Sequence, residues 1–393
     1  SAGGATPTFD GTVYIETNAH TSGDNSVLAF RYRSGSLRPL EVREYMTGGT
    51  GSHDLSNAGV LDAEQQIVTN AERTLLFAVN AGSDTVAVFH IADDGTLTPV
   101  DGSPFPSLGK APASVGVSGD ELFVANKAQD GLRNLTNAAA GYAAFRIAQD
   151  GSLTPIGKPV KVPPGSSPTQ AYVPPHTGTL MISTEESGPF RAFAVQPDGT
   201  LKQGPNSPLR LPRRAYAHGR KPRGVPVWPQ GLAAHPTLRL LYAGVANIRR
   251  LVVYTYDADG RLAFASSQLN EGSVLPCWTQ VNAAGTRLYT GNAGSQNISV
   301  FDIATDPIHP RQIQRVKLHG RGLPWNFQID PSGRYLFMLN MRAIRELPPG
   351  RGNTLHSFSI GADGRLKELP SSPVPVPVPL GTNPWGMAVV PAR

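Results

Sequence analysis

Apolar and polar positions alternate with a period of two along nearly the whole chain, in short runs bounded by Gly, Pro, Asn and Asp. That period places successive side chains on opposite faces of a pleated strand, so the pattern predicts strands throughout and no long helix. One run type recurs: "TVYIETN" from Thr12, "TLLFAVN" from Thr74, "ELFVAN" from Glu121, "TLMIST" from Thr179, "LLYAGVAN" from Leu240, "RLYTGN" from Arg287 and "YLFMLN" from Tyr335. A second strand-like run follows each, among them "TVAVFHI", "LVVYTY" and "ISVFDI", and most of these lead into an Asp-Gly turn such as "DDGTL", "QDGSL" or "PDGTL". Asp-Gly between alternating runs signals a hairpin, because glycine supplies the positive φ that the turn needs.

Upstream, Pro112, Pro168, Pro229, Pro276, Pro324 and Pro384 each open a further alternating run. Proline suits the first position of a strand, where no ladder N–H is required. The unit is therefore four antiparallel strands repeating every roughly 45–60 residues, the size of a propeller blade. The last unit, "NPWGMAVVPAR", holds only a first strand, and the first unit starts directly at a second strand. The C-terminal strand is thus expected to complete the N-terminal blade, leaving no open sheet edge. The predicted fold is all-β: one domain over residues 11–393, a seven-bladed β-propeller of four-stranded antiparallel blades, preceded by a flexible leader over residues 1–10.

Composition agrees and narrows the partners. Charged residues make up only 16% of the chain, as expected of strands and turns, and the net charge is +6. One basic concentration stands out, "RLPRRAYAHGRKPRG" from Arg210 to Gly224. It reads as a solvated loop, with attraction of an anionic ligand or surface as the alternative. No nucleic-acid partner is expected. The single cysteine, Cys277, excludes an intramolecular disulfide framework and cysteine-based metal or haem motifs. No apolar stretch approaches the roughly 18 residues of a membrane span. Nucleotide loops, nucleophile elbows and zinc-protease motifs are missing, so no cofactor and no metal are expected. Asn80, Asn126, Asn292 and Asn340, which close second strands, read as side chains bonding their own turns. The small, polar start "SAGGATPTFDG" is read as that of an exported protein, periplasmic or secreted, with a cytoplasmic one as the alternative. A monomer acting on a small molecule is expected.

The spelling "DPSGRYLFMLN", followed by "ISVFDI"-like and "DGRL"-like runs, resembles the lactonase family of seven-bladed propellers. That family includes propeller-type 6-phosphogluconolactonases and 3-carboxy-cis,cis-muconate lactonizing enzymes. The resemblance implies acid–base chemistry on a lactone, with His and Arg at two first-strand mouths and a glutamate after one second strand. In this chain those positions read Thr169, Gln170 and Gln230, and Ala246 stands where the glutamate would be. Glu185 holds the glutamate's place one blade earlier, and Lys127 lies one blade further back.

In an antiparallel blade, the loop entering the first strand and the loop joining the second and third share a face. Here those carry the long insertions, Met46–Glu64, Lys127–Tyr142, the basic loop and Met341–Asn353, while the opposite turns are minimal. Function is expected on the built-up face. The four tryptophans all fall at or beside the residue after the first-strand proline, the mouth of the central tunnel on that face. Trp228, Trp278, Trp325 and Trp385 are expected to wall a pocket for a partly aromatic or apolar lactone or ester-type ring, the alternative being a plug of packed indoles. Gln65, Gln170, Gln230 and Asn326 are the expected polar orienters. Cys277 stands in the same wall as an inert thiol, and Arg342 is among the arginines able to hold a carboxylate. Glu185 is the expected acid/base, with Lys127 or His53 as its electrostatic or proton partner. The alternative is a non-catalytic propeller binding a ligand or protein partner on the long-loop face.

Overall fold

Turn chemistry sets the repeat. The computed structural model describes residues 8–53, 58–216, 222–342, 346–348 and 350–393. On one face of the molecule an Asn or Asp accepts two consecutive backbone N–H groups at three of the first-to-second turns. Asn70 takes those of Thr74 and Leu75, Asn282 those of Thr286 and Arg287, and Asp330 those of Arg334 and Tyr335. The third-to-fourth turns repeat a second device. Gly95, Gly151, Gly199, Gly260 and Gly364 all sit at φ between 81° and 86°, a conformation that costs other residues about 1–2 kcal/mol.

These turns fold the chain into seven antiparallel sheets, six with their strands in sequence order and one completed by the last strand of the chain. Blade 1 is built on the inner strand Trp385–Pro391, followed outward by Gly11–Glu16 and Ser26–Arg33. Blades 2, 3, 5, 6 and 7 start from Ile67–Thr69, Pro112–Ser118, Pro229–Ala234, Pro276–Val281 and Leu323–Ile329. Blade 4 departs from the expected pattern. Its inner segment forms no continuous strand and meets the second strand, Leu180–Thr184, and the residue after it through the isolated bridges Pro168–Glu185 and Tyr172–Ile182, with the Thr169 N–H donating to the Thr184 carbonyl at 2.9 Å. Several outermost strands are split in two, as where Leu97–Pro99 and Phe105–Pro106 both pair with Thr85–Ile91.

The chain ends meet as the sequence predicts. Gly11 pairs with Pro391, Tyr14 with Ala388 and Ile15 with Met387, so the wheel is closed. Of the leader expected over residues 1–10, residues 1–7 lie outside the described residues.

Buried tyrosines lock neighbouring blades. Tyr14 Oη donates to the Gly95 carbonyl at 2.7 Å, Tyr289 Oη to Gly364 at 2.8 Å and Tyr242 Oη to Pro307 at 2.7 Å. Each places its ring in the inter-blade core and its hydroxyl on the next blade's turn. Among the described residues no helix is long and apolar enough to cross a membrane.

Candidate functional site

The inner strands share one irregularity at the built-up end of the tunnel. Register shifts occur at Pro112/Ser114, Pro229/Leu232, Pro276/Trp278, Pro324/Phe327 and opposite Ile15/Glu16. A bulge re-aims side chains, and here it turns the residue after each proline out of the ladder. Gln230, Cys277, Trp325 and Asn326 all stand in such bulges.

Side-chain amides at this level stitch the blades together across the axis. Gln170 Nε2 donates to Gln65 Oε1 at 2.6 Å, linking blade 4 to blade 2, while Gln170 Oε1 accepts the Leu232 N–H of blade 5 at 2.7 Å. Gln65 Nε2 donates to the Val115 carbonyl. Asn326 Oδ1 accepts the Gly386 N–H at 2.6 Å, and its Nδ2 donates to Glu64 Oε1 at 2.9 Å.

Glu64 belongs to the segment Leu61–Gln66, which lies over this layer and closes the tunnel mouth; Leu61, Ala63, Glu64 and Gln66 are all buried. The aromatic cup therefore takes a different form from the expected one. Trp278, Trp325 and Trp385 do come together, with the first two rings edge-on at 5.6 Å, but each is at most 1% exposed. They are core beneath a closed mouth, because a bulged inner strand needs a large side chain to fill the narrowing axis. Trp228 packs half-buried against the same cluster. Burial first, and then the Asp62 and Glu64 carboxyls, push the Cys277 thiol well up, which keeps it protonated.

Two carboxyls in this region, Glu64 and Glu16, are buried with no cation paired to them among the described residues. Burial pushes Glu64 up to about 8, against the lowering effect of the Gln65 amide and Asn326. Burial likewise raises Glu16 to about 8, where Asn25 Nδ2 donates to it at 2.8 Å and the Trp385 indole lies beside it. Glu64 was not singled out from sequence, although it directly precedes Gln65; nothing local says that its loop turns inward.

The charged candidates divide. Glu185 is fully buried and already paired: Arg191 Nε lies 2.5 Å from Oε1 and Nη2 3.3 Å from Oε2, and Tyr142 Oη donates to Oε1 at 2.9 Å. Lys127 is equally sealed, donating to the Asp62 carbonyl at 2.9 Å and pairing with Glu186 at 3.0 Å, which Ser167 Oγ also bonds. The two expected partners thus sit in separate ion pairs. Arg342 is half-buried, with its backbone N–H donating to Asn353 Oδ1 at 2.9 Å.

His53 is differently placed. Its Nδ1 lies 3.1 Å from both Asp130 oxygens, and its side chain keeps 16% exposure over a carboxylate with none. Burial opposes ionisation of Asp130, but the Arg133 and Leu132 backbone amides, His53 and the Arg133 guanidinium hold its carboxyl below the usual range. A carboxylate on Nδ1 selects the tautomer with Nε2 as acceptor. The His20 ring stands 5.0 Å away, and burial first, then His53, lower its basicity. Asp130 was read only as part of the long insertion Lys127–Tyr142; its contact with His53 spans 77 residues and leaves no local trace.

The axial cavity lies elsewhere. About 640 Å³ opens on the trimmed face, running up the axis between Tyr172, Leu232, Gln280, Gln328 and Met387 until the Gln65–Gln170 pair. A second hollow of about 400 Å³ lies on the built-up face over blade 4, beside Glu185, Arg191 and Arg210. Among the described residues no group of three His, Cys, Asp or Glu side chains is placed to hold a metal ion.

Residues 279–379, spanning most of blades 6 and 7, match the family described as "Lactonase, 7-bladed beta-propeller". No curated protein sequence matches the chain. The fold is similar to that of a periplasmic gluconolactonase from Pseudomonas aeruginosa, with a TM-score of 0.70, 17% identity and coverage of 98% of this chain and 100% of that one. It is similar also to a putative 6-phosphogluconolactonase from Bacteroides fragilis, with a TM-score of 0.68, 15% identity and coverage of 98% and 99%. A hypothetical selenium-binding protein from Sulfolobus tokodaii follows at a TM-score of 0.63 and 11% identity, with coverage of 98% and 94%. The resemblance of the sequence to the lactonase propellers is borne out.

Proposed function

We propose that this protein is a lactone hydrolase in which water is activated on the built-up face by His53, held by Asp130. The observation that carries this is the bidentate seating of Nδ1 on a buried carboxylate, 3.1 Å to each oxygen. Among the described candidates, His53 combines orientation with access; Glu185 and Lys127 have orientation without access. His53 Nε2 would take a proton as water attacks the lactone carbonyl and return it to the departing alkoxide, with Asp130 stabilising the imidazolium between the two steps. The positions where the resemblance implies a phosphate- or carboxylate-binding His and Arg hold Thr169, Gln170 and Gln230, all buried. An unphosphorylated lactone fits that exchange.

His53→Gln should lower kcat/KM for an uncharged δ-lactone by about 10²–10⁴-fold. Asp130→Asn should do the same and shift the acid limb of the pH–rate profile. Unchanged turnover in both variants, over a panel of γ- and δ-lactones, would sink the reading.

A second reading, a propeller that binds a ligand without turning it over, is favoured by one observation. A cavity of about 640 Å³ lies on the face opposite the histidines. Wild-type protein that binds a lactone and releases it intact would decide for it.

A further inference from the structure

We infer that the axial cavity on the trimmed face is a second binding site, independent of the histidine face, for a small uncharged molecule rich in hydroxyl groups. Its size comes first. At about 640 Å³ it lies within the ~300–1,000 Å³ of small-molecule sites, and its walls come from six of the seven inner segments. A ligand there would be enclosed by the inner strands and the tight turns at their ends.

The chemistry of the wall selects the ligand. Carboxamides project at two levels: Gln65 and Gln170 at the inner end, Gln280 and Gln328 nearer the mouth. The inner pair is already joined at 2.6 Å. The outer pair is less committed. Gln280 Nε2 reaches the Phe327 carbonyl only at 3.3 Å, and the Gln328 amide has no hydrogen-bond partner among the described residues. Both stand half-buried at the ends of inner strands, facing the axis. An amide offers a donor and an acceptor together, which matches a hydroxyl and gives no preference to an ion. Between the amides the wall is aliphatic, from Leu232, Val281, Ile329 and Met387, matching the C–H faces of a sugar or cyclitol ring.

The charges present do not favour an anion. Arg73 and Asp330 both border the mouth, with opposite signs. Asp330 is occupied by its own turn, accepting from the Arg334 and Tyr335 amides at 3.0 and 2.9 Å. Nor can a ligand reach the histidines from here. The Gln65–Gln170 bond and the buried segment Leu61–Gln66 separate the cavity from the built-up face.

Calorimetric titration of the full chain with D-glucose, myo-inositol and glycerol, and with glucose 6-phosphate and gluconate as charged counterparts, tests this. Saturable binding of glucose or inositol is expected, at least tenfold weaker in the near-isosteric Gln280→Leu/Gln328→Leu protein and abolished in Gln328→Trp, which fills the mouth. Thermal melts of both variants establish that they fold. His53→Gln should bind as the wild type does, and Gln328→Leu should leave lactone turnover unchanged, so the two sites stand or fall separately. Absence of saturable binding by every neutral probe would overturn the inference. So would tighter binding of the charged pair, or binding that survives Gln328→Trp in a folded protein.

Discussion

Replacing Glu185 with alanine is expected to cost about 3–5 kcal/mol of stability, the range for breaking one half of a buried ion pair. Arg191 would keep its charge in a site where its side chain is only 8% exposed, with Gln203 Oε1 at 3.2 Å as its remaining side-chain acceptor. Tyr142 would lose its acceptor as well. Burial and the Glu185 charge together hold that phenol far above its ordinary pKa, so it stays a donor that has lost its carboxylate acceptor. Urea denaturation of Glu185→Ala, Arg191→Met and the double variant separates the contributions. The double variant should recover much of the loss, because an apolar pair in that space leaves no unpaired charge. If Glu185→Ala keeps its stability while Glu185→Gln loses turnover, the residue belongs to the chemistry after all.

The second large effect is a stability that falls as pH rises through neutrality. Glu64 and Glu16 are held protonated in the folded chain, with pKa values of about 8 against 4.5 for the exposed side chain. Between those values the folded state binds more protons than the unfolded one. Stability from each group is therefore complete below about pH 4.5, declines across the window, and is gone above about 8. The slope approaches about 1.4 kcal/mol per pH unit for each group. Glu64→Gln should flatten the curve and raise the denaturation midpoint at pH 8. An amide keeps an acceptor for Asn326 and puts a donor where the protonated oxygen stood. Histidines lowered by burial, such as His20 and His235, work in the opposite sense, so the comparison is wild type against variant at each pH. A wild-type midpoint no more pH-dependent between 5 and 8 than that of Glu16→Gln/Glu64→Gln would refute the assignment.

Much of the architecture was legible because it is written in neighbours. Asp94-Gly95 and Asp198-Gly199 announce hairpins through a φ of 81° and 84° that glycine adopts freely, and Asn70 or Asp330 marks a turn by bonding amides four and five residues on. Closure of the ring was legible by subtraction, a spare first strand at one end and a missing one at the other. The site was less so. Trp325 and Trp385 stand in inner strands beside their prolines, as the repeat implies, yet whether a mouth is open depends on a loop from another blade. Leu61–Gln66 folds over it for reasons that involve Asn326, more than 250 residues away in sequence. The pairing of Glu185 with Arg191 was closer to reach. The hairpin register sets Ser183 opposite Arg191, so a long side chain two residues along can meet it. The His53–Asp130 contact joins two long insertions, which carry no periodic signal by which to align them.

The cross-axis bond between Gln170 and Gln65 makes this wheel a stoppered vessel, not a pipe. Solutes entering from below and solutes arriving from above occupy separate rooms. Mutation can therefore reshape what one room admits without disturbing what happens in the other.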